Sequence, residues 1–202
     1  MKIYKIIIPF LVFFTLTLHT MALPSQAIDR EEEIINLLDQ RDQQIKELLG
    51  PRGTTYTEEQ RQELTEIIND IIDYRVMART ALQETYDTIS KEERDRFVDL
   101  FSTIIRQQSL SQLDIYRAEV VYNDIAVTED SAMVETTANL DNVRTPVFYE
   151  MERRGEDWVI TDMAIDNVWT AESYRRSFQN QIRRRGFDGL MAGLEKRAER
   201  QQ

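Results

Sequence analysis

The chain has 202 residues, with 36 aspartates and glutamates against 25 lysines and arginines, no cysteine and one histidine. This acidic balance argues against binding to nucleic acid and against adsorption to anionic lipid by charge alone. The lack of cysteine excludes a disulfide framework and thiol chemistry. Because His19 lies in the N-terminal targeting segment, the remaining chain has no histidine for a catalytic triad or a zinc site. This makes an enzymatic function less expected.

Residues 1–27 have the pattern of a secretory signal peptide. Two lysines precede the apolar run 6–18, and Ser25 and Ala27 are small residues at positions −3 and −1 of a predicted cleavage site. The run is shorter than the roughly 20 residues that cross a membrane, although an uncleaved anchor stays an alternative. No cysteine follows it, so a lipoprotein is not expected. We therefore predict an exported single domain over residues 28–202.

Apolar periodicity predicts several helices in the first half of this domain. A loose apolar stripe indicates a helix over Arg30–Leu49, which Gly50 and the following proline end. Thr57, with a glutamine three residues later, forms a capping box that begins the next helix. A further helical piece is predicted over Tyr74–Tyr86. Another begins at a second capping box and extends over about 90–116.

The apolar period then changes from 3.6 to 2, which is typical of strands. Four strands are predicted, and they cover Ala118–Val127, Ala132–Leu140, Thr145–Arg154 and Trp158–Ile165. Their short connections indicate antiparallel hairpins. Helix returns at Thr170, Gly186 is predicted to end it, and Asp188 begins a last short helix. The sequence therefore predicts an α+β fold with a twisted antiparallel four-stranded sheet covered on one face by helices.

The charged residues permit more than one interpretation. Asp162 and Asp166 flank the end of the last predicted strand and could form a glycosidase-type pair, although a turn or capping role is favoured. From Thr170 onward, eight lysines and arginines stand against four acids. This basic segment could orient the protein on a partner or hold a phosphate head group. It could equally be a solvated helix face that complements its own dipole.

The apolar faces also leave two possibilities. Helices over a concave sheet can leave a long apolar cavity between the two layers, and such a cavity would suit a lipid chain. The pattern of apolar residues does not distinguish this cavity from a filled core.

The stretch from Trp158 to Leu194 resembles the C-terminal signature of the MlaC / toluene-tolerance family. The resemblance is carried by Trp158, Asp162, Ile165, Asp166, Val168, Tyr174, Arg175, Phe178, the run 186–190 and Leu194, and upstream by Tyr74–Leu82, Glu93, Arg94, Phe97 and Phe101. The chain departs from the family pattern at Gln83, where glycine is usual, and at Tyr86, where tryptophan is usual. Asn167 replaces another glycine. Trp169 replaces a serine and is expected to place bulk near the sheet edge, where it could narrow or reshape a pocket mouth.

The resemblance implies an NTF2-like cone that carries a glycerophospholipid through the periplasm, as the soluble component of an Mla-type ABC transport system that maintains outer-membrane lipid asymmetry. The implied partners are an inner-membrane ABC complex with an MCE-domain protein and an outer-membrane lipoprotein. A monomer without catalytic residues, metal or cofactor is expected, with phospholipid as its ligand. Alternatives are another apolar ligand, such as a hopanoid or sterol-like lipid, and a carboxylate-dependent hydrolase or isomerase.

Ten residues are expected to line the lipid pocket, on the basis of their pattern and position in this fold. They are Tyr74, Met77, Phe97, Phe101, Ile104, Val147, Tyr149, Met151, Ile165 and Val168.

Overall fold

The structure is a computed structural model that describes residues 25–111 and 113–200, so most of the predicted signal peptide lies outside the described residues. The helices are α1 Ser25–Leu49, α2 Glu58–Asn69, α3 Tyr74–Leu82, α4 Glu84–Thr88, α5 Lys91–Ser111 and α6 Thr170–Glu199, with a 3₁₀ helix over Leu113–Arg117. The strands are β1 Glu119–Val127, β2 Ser131–Leu140, β3 Val143–Arg154, β4 Asp157–Ile165 and β5 Val168–Trp169. No helix of the described chain is long and apolar enough to cross a membrane.

The helix boundaries follow the local signals read from the sequence. The capping box that begins α2 is confirmed, because the Thr57 hydroxyl accepts from the Gln60 amide and the Gln60 side chain accepts from the Thr57 amide. The box at Ser90 is confirmed in the same way at the start of α5. The prediction of one continuous helix over Tyr74–Tyr86 is wrong. The backbone at Gln83 has φ 49°, outside the helical region, and this residue separates α3 from α4.

The predicted α+β fold is confirmed. The sheet is antiparallel with the strand order β1-β2-β3-β4-β5, so each strand pairs with its neighbour in the chain. Its fifth strand was not predicted, because two residues carry no readable alternation. Tight turns join β2 to β3 through Asp141 and Asn142, and β4 to β5 through Asp166 and Asn167. All four turn residues have positive φ, a conformation that aspartate and asparagine tolerate better than most side chains.

An aromatic cluster joins α5 to α6 and closes one part of the helical layer. The Phe101 ring lies 5.0 Å from the Tyr174 ring and 5.8 Å from the Phe178 ring, in edge-to-face contacts, and stacks on Phe97 at 5.6 Å. Phe97 and Phe101 are fully buried. Gly186 has φ 71° and ψ 178°, which bends α6 so that its second part, with Leu190 and Leu194 buried, packs against the same core.

Candidate functional site

A cavity of about 720 Å³ lies between the sheet and the helices. This volume is within the range of about 300–1,000 Å³ that small-molecule sites occupy. Its floor contains one row of cross-strand partners that spans all five strands, namely Tyr122, Thr136, Val147, Ile165 and Val168. Because side chains alternate between the faces of a strand, this register places every member of the row on the same side of the sheet.

The opposite wall is mostly aliphatic and comes from five helices and the segment between α2 and α3. The contributing side chains are Leu38 and Ile45 of α1, Ile67 and Ile68 of α2, Ile71 and Ile72 of the connecting segment, Met77 of α3, Ile105 of α5, and Phe178 and Leu194 of α6. Such a wall offers apolar contact and few hydrogen bonds. The predicted apolar cavity between sheet and helices is therefore confirmed.

A bulge in β4 decides which of its residues face the cavity. Met151 pairs with Ile160 and Glu150 pairs with Asp162, so Thr161 is the extra residue. Ile160 lines the cavity before the bulge, whereas Met163 and Ile165 line it afterwards. The extra residue reverses the alternation of side chains along the strand. Asp162 therefore points away from the cavity.

Asp162 caps the N-terminus of α6. Its Oδ1 accepts hydrogen bonds from the amides of Met163 at 2.8 Å and Ala171 at 3.1 Å, and Trp169, which precedes the helix, supplies no side-chain cap of its own. Burial raises the pKa of this carboxyl to about 6, although the two backbone hydrogen bonds act in the other direction. Asp166 lies exposed in the β4–β5 turn. The two carboxylates do not face one pocket, which leaves the capping interpretation.

The cavity wall also contains polar side chains, and several of them already have hydrogen-bond partners within the protein. The Thr136 hydroxyl donates to the Val147 carbonyl at 3.0 Å, and burial raises the pKa of the Tyr149 hydroxyl to about 12. The charged residues in the wall are Arg41, Asp42 and Arg197. A neutral tyrosine at physiological pH and a bonded threonine leave the interior suited to apolar groups.

The cavity opens where strand β5 meets α6. Ile165 and Val168 line the cavity and are still 37% and 56% exposed, so they form an apolar edge of the mouth. The exposed Ser177 and the half-buried Gln181 and Arg197 form a polar edge on α6. The mouth therefore has one apolar side and one polar side.

The ten residues predicted to line the pocket divide into two groups. Met77, Val147, Tyr149, Ile165 and Val168 lie in the cavity wall, whereas Tyr74, Phe97, Phe101, Ile104 and Met151 are buried in closed core outside it. The Tyr74 hydroxyl donates to Asn69 and its ring lies under Arg106, which directs it away from the cavity.

Trp169 does not line the cavity, contrary to the expectation of bulk at the mouth. Val168 faces inward, so the alternation of β5 turns Trp169 to the other side of the sheet, where its ring packs against Phe148 at 6.3 Å.

The aliphatic wall from α1 and α2 was missed as a site, although the stripe of Ile67, Ile68 and Ile71 was visible in the sequence. Periodicity marks such residues as buried but does not show what lies opposite them. Within residues 25–111 and 113–200 there is no group of three or more acidic or histidine side chains that could hold a metal ion.

A helix-covered antiparallel sheet with an apolar cavity that opens at its edge defines an α+β protein built around a binding cavity. The model of the family described as MlaC protein matches residues 38–196, and the chain belongs to this family. A comparison with curated proteins gives no match. Among solved structures, the chain is similar to a phospholipid-binding protein from Ralstonia solanacearum in complex with a phospholipid, with 19% identity and a TM-score of 0.69. The similarity covers 83% of this chain and 96% of that one, and it shows a shared fold.

Proposed function

We propose that this protein binds a glycerophospholipid in its cavity and carries it through the periplasm between the outer and inner membranes. The cavity carries the proposal, because it is apolar inside and has a mouth with one polar edge. Membership of the MlaC family and the phospholipid in the similar Ralstonia structure support the same ligand class. The protein would be the soluble component of an Mla-type ABC system. Its partners would be the inner-membrane complex with an MCE-domain protein and the outer-membrane lipoprotein.

The energetics favour acyl chains as the buried part of the ligand. Each methylene transferred from water contributes roughly 0.8 kcal/mol, so a chain of about 14 methylenes contributes roughly 11 kcal/mol before the costs of ordering. The aliphatic wall and the floor around Val147 supply contacts without demanding hydrogen bonds from the ligand. The head group would remain at the mouth, where water and the polar edge are available.

A binding protein is favoured over an enzyme by the groups that face the cavity. The carboxylate in the wall, Asp42, is paired with Lys46 at 2.6 Å, and the Tyr149 hydroxyl has a pKa raised to about 12. Asp162 already accepts a hydrogen bond from the Ala171 amide at the start of α6. These groups do not form the pair of free acid and base that hydrolysis or isomerisation would need.

The ligand can be identified on protein exported with its own N-terminal segment and purified from the periplasm. Native mass spectrometry with lipid extraction should show one diacyl glycerophospholipid for each chain. A hopanoid or sterol-like lipid would support the alternative ligand, and recovery of protein from the cytoplasm would contradict the periplasmic assignment. An empty cavity in protein that turns over a substrate would contradict the proposal.

A variant that fills the cavity gives the matching test. Ala138 lies in the cavity floor on β2, so Ala138→Trp should occupy space needed by the acyl chains and lower the bound lipid at least fivefold. Ala126→Trp on β1 is the control, because Ala126 is exposed and does not line the cavity. The melting temperatures of both variants are measured to check that each is folded. Full lipid occupancy in folded Ala138→Trp would show that the ligand binds elsewhere.

A further inference from the structure

We propose that Arg197, at the polar edge of the mouth, binds the phosphodiester of the lipid head group. This inference rests on the proposed function and adds the residue that recognises the ligand's charged part. Arg197 belongs to the second part of α6 and lines the cavity beside Leu194. It is therefore placed at the boundary between the apolar interior and the solvent.

The guanidinium of Arg197 is held in position by its neighbours. It lies 5.7 Å from the centre of the Tyr174 ring, and its Nη2 donates to the Tyr174 hydroxyl at 3.4 Å. That hydroxyl donates in turn to Oε1 of Gln108 at 3.1 Å. Stacking and a relayed hydrogen bond fix an arginine while leaving several of its five N–H donors free. A group ordered in this way loses less entropy when it binds an anion.

Among the residues that the structure describes, Arg197 is the charged residue of the cavity wall without an ion-pair partner. Arg41 pairs with Asp70 and also donates to the Ile67 carbonyl at 3.1 Å, and Asp42 pairs with Lys46. No carboxylate of the described residues lies within ion-pair distance of Arg197. In a strongly acidic protein, an ordered and unpaired guanidinium at a cavity mouth points to an anionic ligand group.

Further hydrogen-bond donors of α6 line the same cavity as Arg197 and suit a phosphodiester, whose oxygens can accept several hydrogen bonds. Ser173 and Ser177 lie one turn apart on the first part of α6 and line the cavity with Gln181, whose Nε2 donates to the Ser177 hydroxyl at 3.4 Å. These side chains can donate hydrogen bonds to further oxygens of a tetrahedral phosphate. The apolar edge at Val168 would then contact the glycerol and the first methylenes.

The test compares two dioctanoyl lipids that share their acyl chains and are bound by delipidated protein. Phosphatidylglycerol carries the phosphodiester and diacylglycerol lacks it. Affinities are measured by displacement of an environment-sensitive dye from the cavity. Arg197→Gln should weaken phosphatidylglycerol binding about tenfold and leave diacylglycerol binding unchanged, because only the first ligand uses the charge. Arg197→Lys keeps the charge without the planar fork and should lose less.

Arg200→Gln is the matched control, since Arg200 lies three residues further on and is exposed, with its Nε bonded to the Lys196 carbonyl. It should change neither affinity. The unmodified protein gives an independent measurement, because added salt should weaken phosphatidylglycerol binding and spare diacylglycerol.

Equal loss of both lipids in folded Arg197→Gln, or no loss of either, would overturn the assignment. Binding of inorganic phosphate that depends on Arg197, with unchanged lipid affinity, would assign the site to a free anion instead. Failure of unmodified protein to bind either lipid would contradict the proposed function itself.

Discussion

Gln83 occupies a backbone conformation that suits glycine. Its φ of 49° and ψ of −130° place it in a region that side chains with a Cβ rarely adopt, and it links α3 to α4 as an exposed residue. The neighbouring hydrogen bonds keep it there, because its amide donates to Arg79 and its carbonyl accepts from the Tyr86 amide. A strained residue of this kind costs about 1–3 kcal/mol. Glycine has no Cβ and would adopt the same conformation without this strain.

Gln83→Gly should therefore stabilise the fold. Relief of the strain exceeds the entropy that glycine adds to the unfolded chain, and we expect a gain of about 1 kcal/mol in the free energy of unfolding. This corresponds to about 2–4 °C in melting temperature for a chain of this size. Gln83→Ala is the control, because alanine keeps the Cβ and should give no gain. Equal stabilisation by both variants would attribute the effect to loss of the glutamine side chain instead.

The elements of the fold could be predicted more completely than the site. The four longer strands were predicted to within about two residues, because period-2 alternation and turn residues such as Asp141 mark them directly. The cavity depends on what faces a buried residue across the layers. Phe101 and Ile105 lie on the same face of α5, yet Ile105 lines the cavity and Phe101 packs against Tyr174 and Phe178. Both residues fit the same helical period, so periodicity alone does not predict which of them lines the cavity.

The bulge at Thr161 shows the same limit in a strand. A regular β4 would keep Asp162 on the face of Ile160, toward the cavity, where a catalytic carboxylate pair was conceivable. The extra residue reverses the alternation and directs Asp162 to the start of α6. A bulge arises from the pairing of two strands, and no local signal in the sequence marks it. The capping role of Asp162 follows from the position of the bulge.

The junction between β4 and α6 should make the stability of the protein depend on pH. The pKa of Asp162 is raised to about 6 by burial, with Glu150 and Glu172 adding to the increase, whereas an unfolded aspartate has a pKa of about 3.9. The folded protein binds the proton more tightly, so this residue contributes stability below about pH 4 that is lost as the pH rises through about 6.

Asp162→Asn should remove this contribution, since an amide does not titrate and its oxygen can still accept from Met163 and Ala171. The free energy of unfolding is measured by urea denaturation for both proteins. Relative to the variant, the original protein should be more stable at pH 4 than at pH 7. Asp166→Asn is the control because it is an exposed turn residue with positive φ that asparagine tolerates. A constant difference for Asp162→Asn across this range would contradict the burial of a titrating carboxyl.

The cavity borders every part of the buried apolar core. Among the described residues, the buried apolar side chains form one large cluster and two small ones. The largest includes Met77 and Phe178, the second Ile45 and Ile68, and the third Val147 of the sheet, and members of all three line the cavity. An apolar ligand in this space would contact all three clusters at once. The ligand is thus expected to complete the core.

Removal of the lipid should consequently lower the stability of the whole domain. A ligand at about 100 times its dissociation constant stabilises the folded state by roughly 2.7 kcal/mol, which corresponds to about 5–10 °C in melting temperature here. Protein stripped by organic solvent and refolded should therefore melt that much lower, and added phospholipid should restore the original value. Ala138→Trp, which fills part of the cavity, should show a smaller change after each treatment. An identical melting temperature for stripped and reloaded protein would show that the three clusters are stable without the ligand.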